Sequence, residues 1–502
     1  MTTSRSPIAR ARTAAIVVLS LALAPACSRT EPAPRPETST PAATTPAPPI
    51  TPPVVPAGDF TPVVQLVDAA IAAPRMPGAV VQIGHGGKVV FRQAFGSRKL
   101  PGEPGLDGAA TPAEPMTEDT IFDLASLTKS LATATAVLQL AERGKVAIDE
   151  PLQTYLPEFN PSNEPRRAQV TLRMLLTHTS GLAGDLSLDG PWGLQQADKA
   201  EGIRRALNAR LDFDPGQLFH YSDIGFILLG AMIEKITGEP EDVYARGNIF
   251  EPLDMTDTRY LPAANACGPY RVSGTALAFD PRAARAVDCP ADTWSTDVLA
   301  RVAPTARDED TPGINPNIGR PLRGTVHDPT ARRMGGVAGS AGVFSTVRDV
   351  GLFAQALLDR LAGRPSEFPL TQASVELMTT PQQPGHHSGQ LDAANTAVRE
   401  SIRTANTDPL LAVNYPAIPG QDLRGFGWDI DTALSRPRGL IFPVGSFGQG
   451  GFTGVTLWID PPSDSYVIVL ANVIHQRGGP PVVTLSGDIA TTAARVLHLY
   501  GS

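Results

Sequence analysis

"FDLASLTKSLATATAVLQLAERGK", Phe122 to Lys145, is the most informative stretch of this chain. Residues Leu127–Glu142 have the composition of a helix, and Gly144 follows as a suitable C-terminal stop. The apolar positions run nearly all round this helix, which predicts that it is buried at the centre of a domain. Ser126 and Lys129 lie at its start, three residues apart, so their side chains share one face.

A serine beside a lysine at this spacing is a weak signal by itself, but the pair is chemically suited to nucleophilic catalysis. Serine is a weak nucleophile and needs a base within hydrogen-bond reach. A neutral lysine can serve, because burial lowers the pKa of an amine. In addition, the free N–H groups at a helix start favour developing negative charge near Ser126.

The structural alternative is that Ser126 caps the helix and Lys129 is solvated. The chain has only six lysines, Lys88, Lys99, Lys129, Lys145, Lys199 and Lys235. Only Lys129 follows a serine by three residues, and a solvated lysine is unusual on so apolar a helix. The sequence therefore favours the catalytic interpretation.

The composition excludes some partners. A chain of 502 residues with 42% hydrophobic residues can bury a substantial core. The formal net charge is −8, so the chain offers no basic surface for nucleic acid.

The N-terminus, residues 1–27, reads as an export signal. Arginines precede an apolar run, "TAAIVVLSLALAPAC", that is too short for a comfortable membrane span of about 20 residues. The run ends in Ala24-Pro25-Ala26-Cys27, which resembles a bacterial lipobox, in which the cysteine becomes lipidated after cleavage. The alternative is an ordinary cleaved signal peptide with an incidental cysteine.

Residues 28–58 are mostly Pro, Thr and Ala with few large apolar side chains. Such a segment cannot bury enough surface to fold, which predicts an extended tether. Together with lipidation at Cys27, the tether would hold a soluble domain off a membrane surface. We therefore expect an exported protein of the periplasm or cell envelope.

Cys267 and Cys289 are the two cysteines outside the signal. In an oxidising compartment such a pair favours a disulfide. No histidine lies near either cysteine in the sequence, which argues against a metal site.

The chain has a predicted β-hairpin near each end. "GAVVQIGHGGKVVFRQAFG", Gly78 to Gly96, contains two β-branched runs joined by Gly86-Gly87. "GFTGVTLWIDP" and "SYVIVLANVIH" near the C-terminus form a second antiparallel pair. Further helices are predicted at Thr171–Leu176, Gly225–Thr237, Asp349–Leu361 and Thr484–Leu499, and Cys267–Pro329 reads as a long irregular loop. This pattern predicts an α+β fold whose sheet is closed by both ends of the chain.

Several stretches, in the same order, resemble the serine β-lactamase-related hydrolases, which include class C β-lactamases, penicillin-binding D,D-peptidases and carboxylesterases. They are the opening stretch, "TLRMLLTHTSGL", "PGQLFHYSDIGFILLGAMIEKITG", "GVAGSAGVFSTVRDVGLFAQALL" and "FGQGGFTGVTLWIDP". The resemblance covers the chain from about Asp59 to the C-terminus. It implies a hydrolase domain at 59–502, with an antiparallel sheet flanked by helices and a mostly helical subdomain at about 151–330.

The resemblance also assigns roles to residues. Ser126 is the nucleophile with Lys129 as its partner, and the Tyr-x-Asn motif of the family falls on Tyr221-Ser222-Asp223. Tyr221 is then the general base or proton shuttle, its phenolate favoured by the lysine. Asp223 stands where the family has Asn, and an ionised carboxylate cannot donate to a substrate carbonyl as an amide does.

The third motif of the family, Lys-Thr-Gly or His-Thr-Gly, falls on Gln449-Gly450-Gly451. The cation and the hydroxyl that commonly meet a substrate carboxylate are both replaced. The backbone N–H groups of Phe452 and Ser126 remain able to form an oxyanion hole. Gln449 can still hydrogen-bond a neutral ester or amide.

We therefore expect a serine hydrolase that acts through an acyl-enzyme on an ester or a small amide, without a metal or organic cofactor. A D,D-peptidase or weak β-lactamase is the alternative, and a non-catalytic envelope binding protein of the same fold is a second one. His178 is expected to fix loop structure, whereas His327, His386 and His387 read as loop residues. The near-match Ala338–Gly342 to a G-x-S-x-G elbow reads as a tight loop supporting the cleft.

Overall fold

A computed structural model describes residues 58–283, 289–290, 292–404, 414–475 and 483–502. The predicted signal peptide with Cys27, and the tether as far as residue 57, lie outside the described residues. Within the described ranges, no helix is long and apolar enough to cross a membrane.

The strands and helices alternate along the chain in an α+β arrangement. The strands are β1 (Gly78–His85), β2 (Lys88–Lys99), β3 (Glu114–Pro115), β4 (Phe122–Asp123), β5 (Arg259–Tyr260), β6 (Ala266–Cys267), β7 (Tyr270–Ser273), β8 (Ala276–Phe279), β9 (Trp294–Ser295), β10 (Val343–Ser345), β11 (Leu423–Arg424), β12 (Asp429–Asp431), β13 (Phe447–Gly451), β14 (Val455–Asp460) and β15 (Ser465–Ala471). The α-helices are α1 (Thr61–Ala72), α2 (Thr135–Glu142), α3 (Leu172–Leu176), α4 (Lys199–Leu207), α5 (Asp223–Thr237), α6 (Glu241–Ala245), α7 (Pro329–Arg333), α8 (Val347–Leu361), α9 (Gln372–Thr379), α10 (Gln390–Thr404) and α11 (Val483–Val496).

The main sheet is built around the predicted N-terminal hairpin. Its strand order among the described residues is β11-β12-β13-β14-β15-β1-β2-β3, with antiparallel neighbours throughout. Gly86 and Gly87, which join β1 to β2, both have positive φ, as a two-residue hairpin turn of this kind requires. On its other edge β1 pairs with β15, so that Ala79 lies opposite Ala471. The prediction that both ends of the chain close the sheet is confirmed.

Alternation along the central strands divides the core into two layers. On β1, Val80 faces the layer that contains α8, whereas Val81 and Ile83 face the layer that contains α1 and α11. On β15, Ile468 and Val469 alternate in the same way. Because successive strand side chains point to opposite faces, a strand buried on both sides is mostly apolar, as these two are; the buried amide of Gln82 donates to the hydroxyl of Tyr466.

The predicted helices are present, with one departure in type. The helix predicted at Leu127–Glu142 begins with a π-helical segment, Lys129–Ala134, and continues as α2. π-helical segments are rare and are often found at functional sites. Helices α1, α4, α6, α7, α9 and α10 are additional to those predicted. Several strands are additional as well, among them β13, whose "FGQGG" is too rich in glycine to read as a strand.

The region Cys267–Pro329 is less irregular than predicted, since it contributes two small sheets, β6 with β9 and β7 with β8. Cys267 and Cys289 are joined by a disulfide, with their Cα atoms 5.6 Å apart. The boundaries of the helical subdomain at about 151–330 remain a prediction. Helices α3 to α6 and these short strands both fall within that range.

Lys99, at the end of β2, is fully buried without a carboxylate partner within hydrogen-bond distance in the described chain. Its ammonium group donates instead to backbone carbonyls of the loop that follows. The acceptors are Leu100 O at 3.0 Å, Glu103 O at 3.3 Å, Thr111 O at 3.4 Å and Pro112 O at 2.8 Å. One side chain therefore ties together the loop between β2 and β3.

We predict that Lys99→Met lowers the free energy of unfolding by about 1–3 kcal/mol, because these carbonyls lose a charged donor and stay buried. Urea denaturation of the variant measures this change. Lys88→Met, at the exposed start of the same strand, is the control and is expected to stay within about 0.5 kcal/mol of the parent. Equal effects of the two substitutions would contradict a structural role for the carbonyl cage.

Candidate active site

The amine of Lys129 contacts three oxygen atoms from three separate segments. Its Nζ lies 3.0 Å from Ser126 Oγ and 2.5 Å from Asp223 Oδ1, and it donates to Ser340 O at 2.8 Å. Ser126 precedes the π-helical segment, Asp223 is the first residue of α5, and Ser340 lies just before β10. The side chain of Lys129 is only 1% exposed, so these contacts are shielded from water.

The charge state of Lys129 differs from the one predicted. Burial disfavours its charged form, but the carboxylate of Asp223 and the hydroxyl of Tyr221 outweigh burial, and the pKa of Lys129 lies above its ordinary value. The expected lowering of the lysine pKa by burial is outweighed here, because the carboxylate of Asp223 lies 2.5 Å from the amine. The raised pKa favours the ammonium form of Lys129, which donates to Ser126 Oγ.

The turn that carries Ser126 is held by Asp123. Its Oδ1 accepts the N–H of Ala125 at 2.9 Å, and its Oδ2 accepts the N–H of His327 at 2.7 Å. Ala125 has a φ of 45°, in the left-handed region that non-glycine residues seldom adopt. Burial raises the pKa of Asp123 to about 6, although its two N–H donors favour the ionised form. The strained turn thus depends on a carboxylate three residues before the serine, a role that sequence analysis missed.

Tyr221 is positioned by His178. The two rings stack with their centroids 4.1 Å apart and their planes at 23°. His178 Nδ1 accepts the N–H of Ser222 at 3.0 Å, and its carbonyl oxygen accepts the N–H of His220 at 2.8 Å. Burial lowers the pKa of His178 well below its ordinary value, and the charges of Arg424 and Lys129 lower it further, which leaves Nδ1 free to accept. The structure is thus in line with the expectation that His178 fixes a loop.

A second buried cation, Arg424, lies near the same aromatic residues. Its guanidinium group is 5.6 Å from the ring centroid of Phe219, and Nη1 is 3.5 Å from Asp429 Oδ1. Lys129 Nζ lies 5.2 Å from the ring centroid of Tyr221. Arg424 also has an electrostatic interaction with Tyr221. Sequence analysis missed Arg424 because it belongs to none of the three motifs.

Two backbone N–H groups are available to an oxyanion. Neither Ser126 N nor Phe452 N donates to another protein atom in the part of the chain that the structure describes. Gly451, between them in space, packs against the turn of Ser126: a Cβ there would lie 2.6 Å from Leu124 O and 3.2 Å from the Cβ of Ala125. Only glycine fits this approach, so the last residue of the third motif brings β13 against the nucleophile turn.

Gln449 does not take over the role of the family's Lys or His. Its side chain is nearly buried, and Nε2 donates to the hydroxyl oxygen of Tyr221 at 3.2 Å and to Gly450 O at 3.2 Å. The amide that was expected to meet a substrate therefore holds the tyrosine. Gln449 and Gly450 both line the cleft, and neither of them carries a positive charge.

Acidic residues crowd around Asp223. Burial and then the charge of Asp223 raise the pKa of Asp328 to about 7, and the same two causes raise the pKa of Asp185. Asp328 Oδ1 also caps α7 by accepting the N–H of Ala331 at 2.6 Å. Sequence analysis assigned neither residue to the site, since both lie outside the motifs.

Ser126, Tyr221, Gln449 and Phe452 line one cleft of about 1270 Å³. His327, which was expected to be an ordinary loop residue, lines it as well. His220 lies outside this lining and packs edge-on against Phe213. The first and second motifs and the backbone of the third thus converge on one cavity, with Lys129 buried behind Ser126.

Comparison with known proteins identifies the family. The family description Beta-lactamase matches residues 63–479. The chain belongs to the beta-lactamase family. It has the α+β fold of this family, and it is a serine hydrolase of the family.

Relatives of this chain are named after different activities. A putative D-alanyl-D-alanine carboxypeptidase of Escherichia coli K12 is 27% identical over 78% of this chain and 78% of its own. Esterase EstB of Burkholderia gladioli is 36% identical over 39% of this chain and 50% of its own. The unliganded simvastatin synthase LovD of Aspergillus terreus is 24% identical, with a TM-score of 0.56 over 86% of this chain and 98% of its own, which shows the shared fold.

We predict that Asp223→Asn lowers the pKa of Lys129, because the carboxylate 2.5 Å from the amine raises it. The high-pH limb of the rate profile should then move to lower pH than in the parent. Measuring kcat/KM for a soluble ester across the alkaline range tests this. Asp212→Asn, in the preceding loop, is the matched control, and a shift of the same size in that variant would contradict the assignment.

A second pH effect is expected behind the site, where Thr133 donates to Glu241 at 2.7 Å. Burial raises the pKa of Glu241 to about 7, so the folded protein holds this proton more tightly than the unfolded chain. The free energy of unfolding therefore falls as the pH rises from about 4.5 to about 7. Glu241→Gln should remove up to about 3 kcal/mol of this dependence. Chemical denaturation at several pH values tests it, and Glu239→Gln, an exposed neighbour, should leave the slope unchanged.

Proposed function

We propose that this protein is an exported serine hydrolase that cleaves an ester or a small amide through an acyl-enzyme on Ser126. The observation that carries the proposal is the contact between Ser126 Oγ and Lys129 Nζ at 3.0 Å, in a cleft that Tyr221 also lines. If Ser126 only capped the helix and Lys129 were solvated, the lysine side chain would be exposed. Instead it is buried, and its amine contacts three oxygen atoms.

In the first half of the proposed reaction, Ser126 Oγ attacks the substrate carbonyl and Tyr221 takes its proton. Lys129 cannot take that proton, because Asp223 keeps it charged. Its ammonium group instead donates to Ser126 Oγ and stabilises negative charge on Tyr221. The N–H groups of Ser126 and Phe452 stabilise the tetrahedral oxyanion.

Tyr221 then returns the proton to the leaving alcohol or amine, and the carbon–oxygen or carbon–nitrogen bond breaks. The acyl group remains on Ser126. In the second half, water attacks the acyl carbonyl, gives its proton to Tyr221, and the acid leaves as Ser126 recovers its proton. No other group is needed for the balance of protons.

The third motif supports a neutral substrate. Gln449 has no charge, and its amide is engaged with Tyr221. A carboxylate next to the scissile bond would find no cation there, unlike in relatives with Lys or His at this position. The esterase among the relatives agrees with this preference.

A D,D-peptidase that acts on cell-wall-like amides is the second candidate. It is favoured by the exposed Arg436, which lines the cleft and could meet a carboxylate from another side, and by the carboxypeptidase relative. A non-catalytic binding protein of the same fold is disfavoured by the complete Ser126, Lys129 and Tyr221 set.

For the location, we propose the periplasm or cell envelope. The N-terminal signal with lipidation at Cys27 and the Pro-rich tether support an anchored domain. The disulfide between Cys267 and Cys289 fits an oxidising compartment.

We predict that Ser126→Ala lowers kcat for a short-chain nitrophenyl ester by about 10⁴–10⁶-fold. Tyr221→Phe should lower it by about 10²–10⁴-fold, because the general base is lost. Ser130→Ala is the matched control: it lies four residues after the nucleophile, with its hydroxyl donating to Gly427 O at 2.6 Å. It should keep most of the activity.

The same proteins are tested with a chromogenic cephalosporin and a serine-reactive phosphonate. Brisk cephalosporin hydrolysis would contradict the ester preference and favour the second candidate. Phosphonate labelling without turnover of either substrate would favour the D,D-peptidase, whereas neither labelling nor turnover would favour the binding protein. Labelling that persists in Ser126→Ala would refute Ser126 as nucleophile.

A further inference from the structure

Phe452 lines the cleft, and most of its side chain is exposed to solvent. It is 75% exposed, the highest value among the large apolar side chains that are exposed in the described chain. Its backbone N–H is one of the two proposed oxyanion donors, so its side chain lies next to the point of attack. A large exposed aromatic side chain at a cavity wall is unfavourable in water and favours an apolar ligand.

One face of the Phe452 ring is covered by the imidazole ring of His327. His327 stacks on it, with the centroids 5.7 Å apart and the planes at 20°. The N–H of His327 is fixed by Asp123 at 2.7 Å, the same carboxylate that holds the nucleophile turn. Burial lowers the pKa of His327 to about 4, so the backing ring is uncharged near neutral pH. The two stacked rings form a fixed, neutral, planar surface.

Other cleft walls are apolar as well. Leu434, which is 45% exposed, lines the same cavity, together with Val455, Val473 and Ile474. Leu434 enters from the loop after β12, whereas Val455 comes from the start of β14. Apolar side chains from separate segments therefore line the cavity that also contains Ser126.

We infer that the substrate carries a bulky apolar group, an aromatic ring by preference, that stacks on Phe452 beside the scissile carbonyl. The inference rests on the proposed function of Ser126 and specifies its substrate class. The group belongs to the acyl or to the alcohol part of the ester, and the experiment separates these two sources.

The test compares three neutral esters: ethyl acetate, benzyl acetate and ethyl benzoate. Released acid is measured by titration, so no chromogenic leaving group occupies the cleft. At least one aromatic ester should have a kcat/KM about tenfold or more above that of ethyl acetate. Phe452→Ser, which keeps the backbone N–H, should reduce this ratio several-fold, and Phe452→Tyr should retain it.

Phe279→Ser is the matched control. Phe279 is 39% exposed on β8 and has an aromatic contact of its own, with Tyr270 at 5.7 Å, but it does not line the cleft. The control should keep the parent's ratio of aromatic to ethyl ester. Thermal unfolding of all variants checks that they are folded.

A binding measurement separates this inference from the proposed function. Phenylboronic and methylboronic acids add to a serine hydroxyl, which forms an O–B bond and releases its proton to solvent. Phenylboronic acid should inhibit about tenfold more tightly than methylboronic acid, and Phe452→Ser should remove the difference.

Equal inhibition by the two acids, lost in Ser126→Ala, would overturn the substrate class and leave the serine hydrolase intact. Failure of both acids and of all esters would refute the proposed function, and the substrate class with it. A preference for monoethyl succinate over ethyl butyrate that is lost in Arg436→Ala would also overturn the inference, because the cleft would then select a carboxylate.

Discussion

The contact between Lys129 and Asp223 is the interaction on which the site depends. An ammonium ion buried to this degree is costly unless a charge and hydrogen-bond acceptors surround it. Asp223 supplies the charge, and Ser340 O and Ser126 Oγ supply the remaining acceptors. Because these atoms come from α5, the loop before β10 and the nucleophile turn, satisfying one charge brings three parts of the chain together. The contacts of the Lys129 amine therefore determine both the geometry of the site and the packing of these three segments.

In the proposed mechanism, Lys129 and Tyr221 have different roles because they differ in charge. In this mechanism Lys129 stays positive and orients the serine, while Tyr221, which stacks on His178 and accepts a hydrogen bond from Gln449, moves the proton. A lysine in the third motif would place another cation at the tyrosine. Here Arg424 lies near the aromatic residues from β11 instead. The positive charge around the tyrosine is therefore supplied partly from outside the motifs.

Much of this could be read from the sequence, because its signals are local. The two β-branched runs within Gly78–Gly96 predict the hairpin at the centre of the sheet, and the order of the motifs predicts the cleft residues Ser126, Tyr221 and Gln449. The charge of Lys129 could not be predicted, since it depends on a distance to Asp223 that only tertiary packing sets. The same holds for Asp123 and His327, which are far apart in sequence and joined by one hydrogen bond. Strand β13 was missed because its glycines are required by close packing against Leu124 O and Trp458, not by strand propensity.

The pairing of β1 with β15 has a consequence for how the chain folds. β1 is an inner strand, yet its partner on one edge is almost 400 residues away, from Ala79 to Ala471. Contacts between residues so far apart in sequence form slowly, because the chain loses conformational entropy before it gains the free energy of the contact. Until Ser465–Ala471 has been synthesised, the nascent chain exposes an unpaired, apolar strand edge on β1. Such an edge is prone to pair with other chains, so the protein needs to be kept from aggregating during its synthesis.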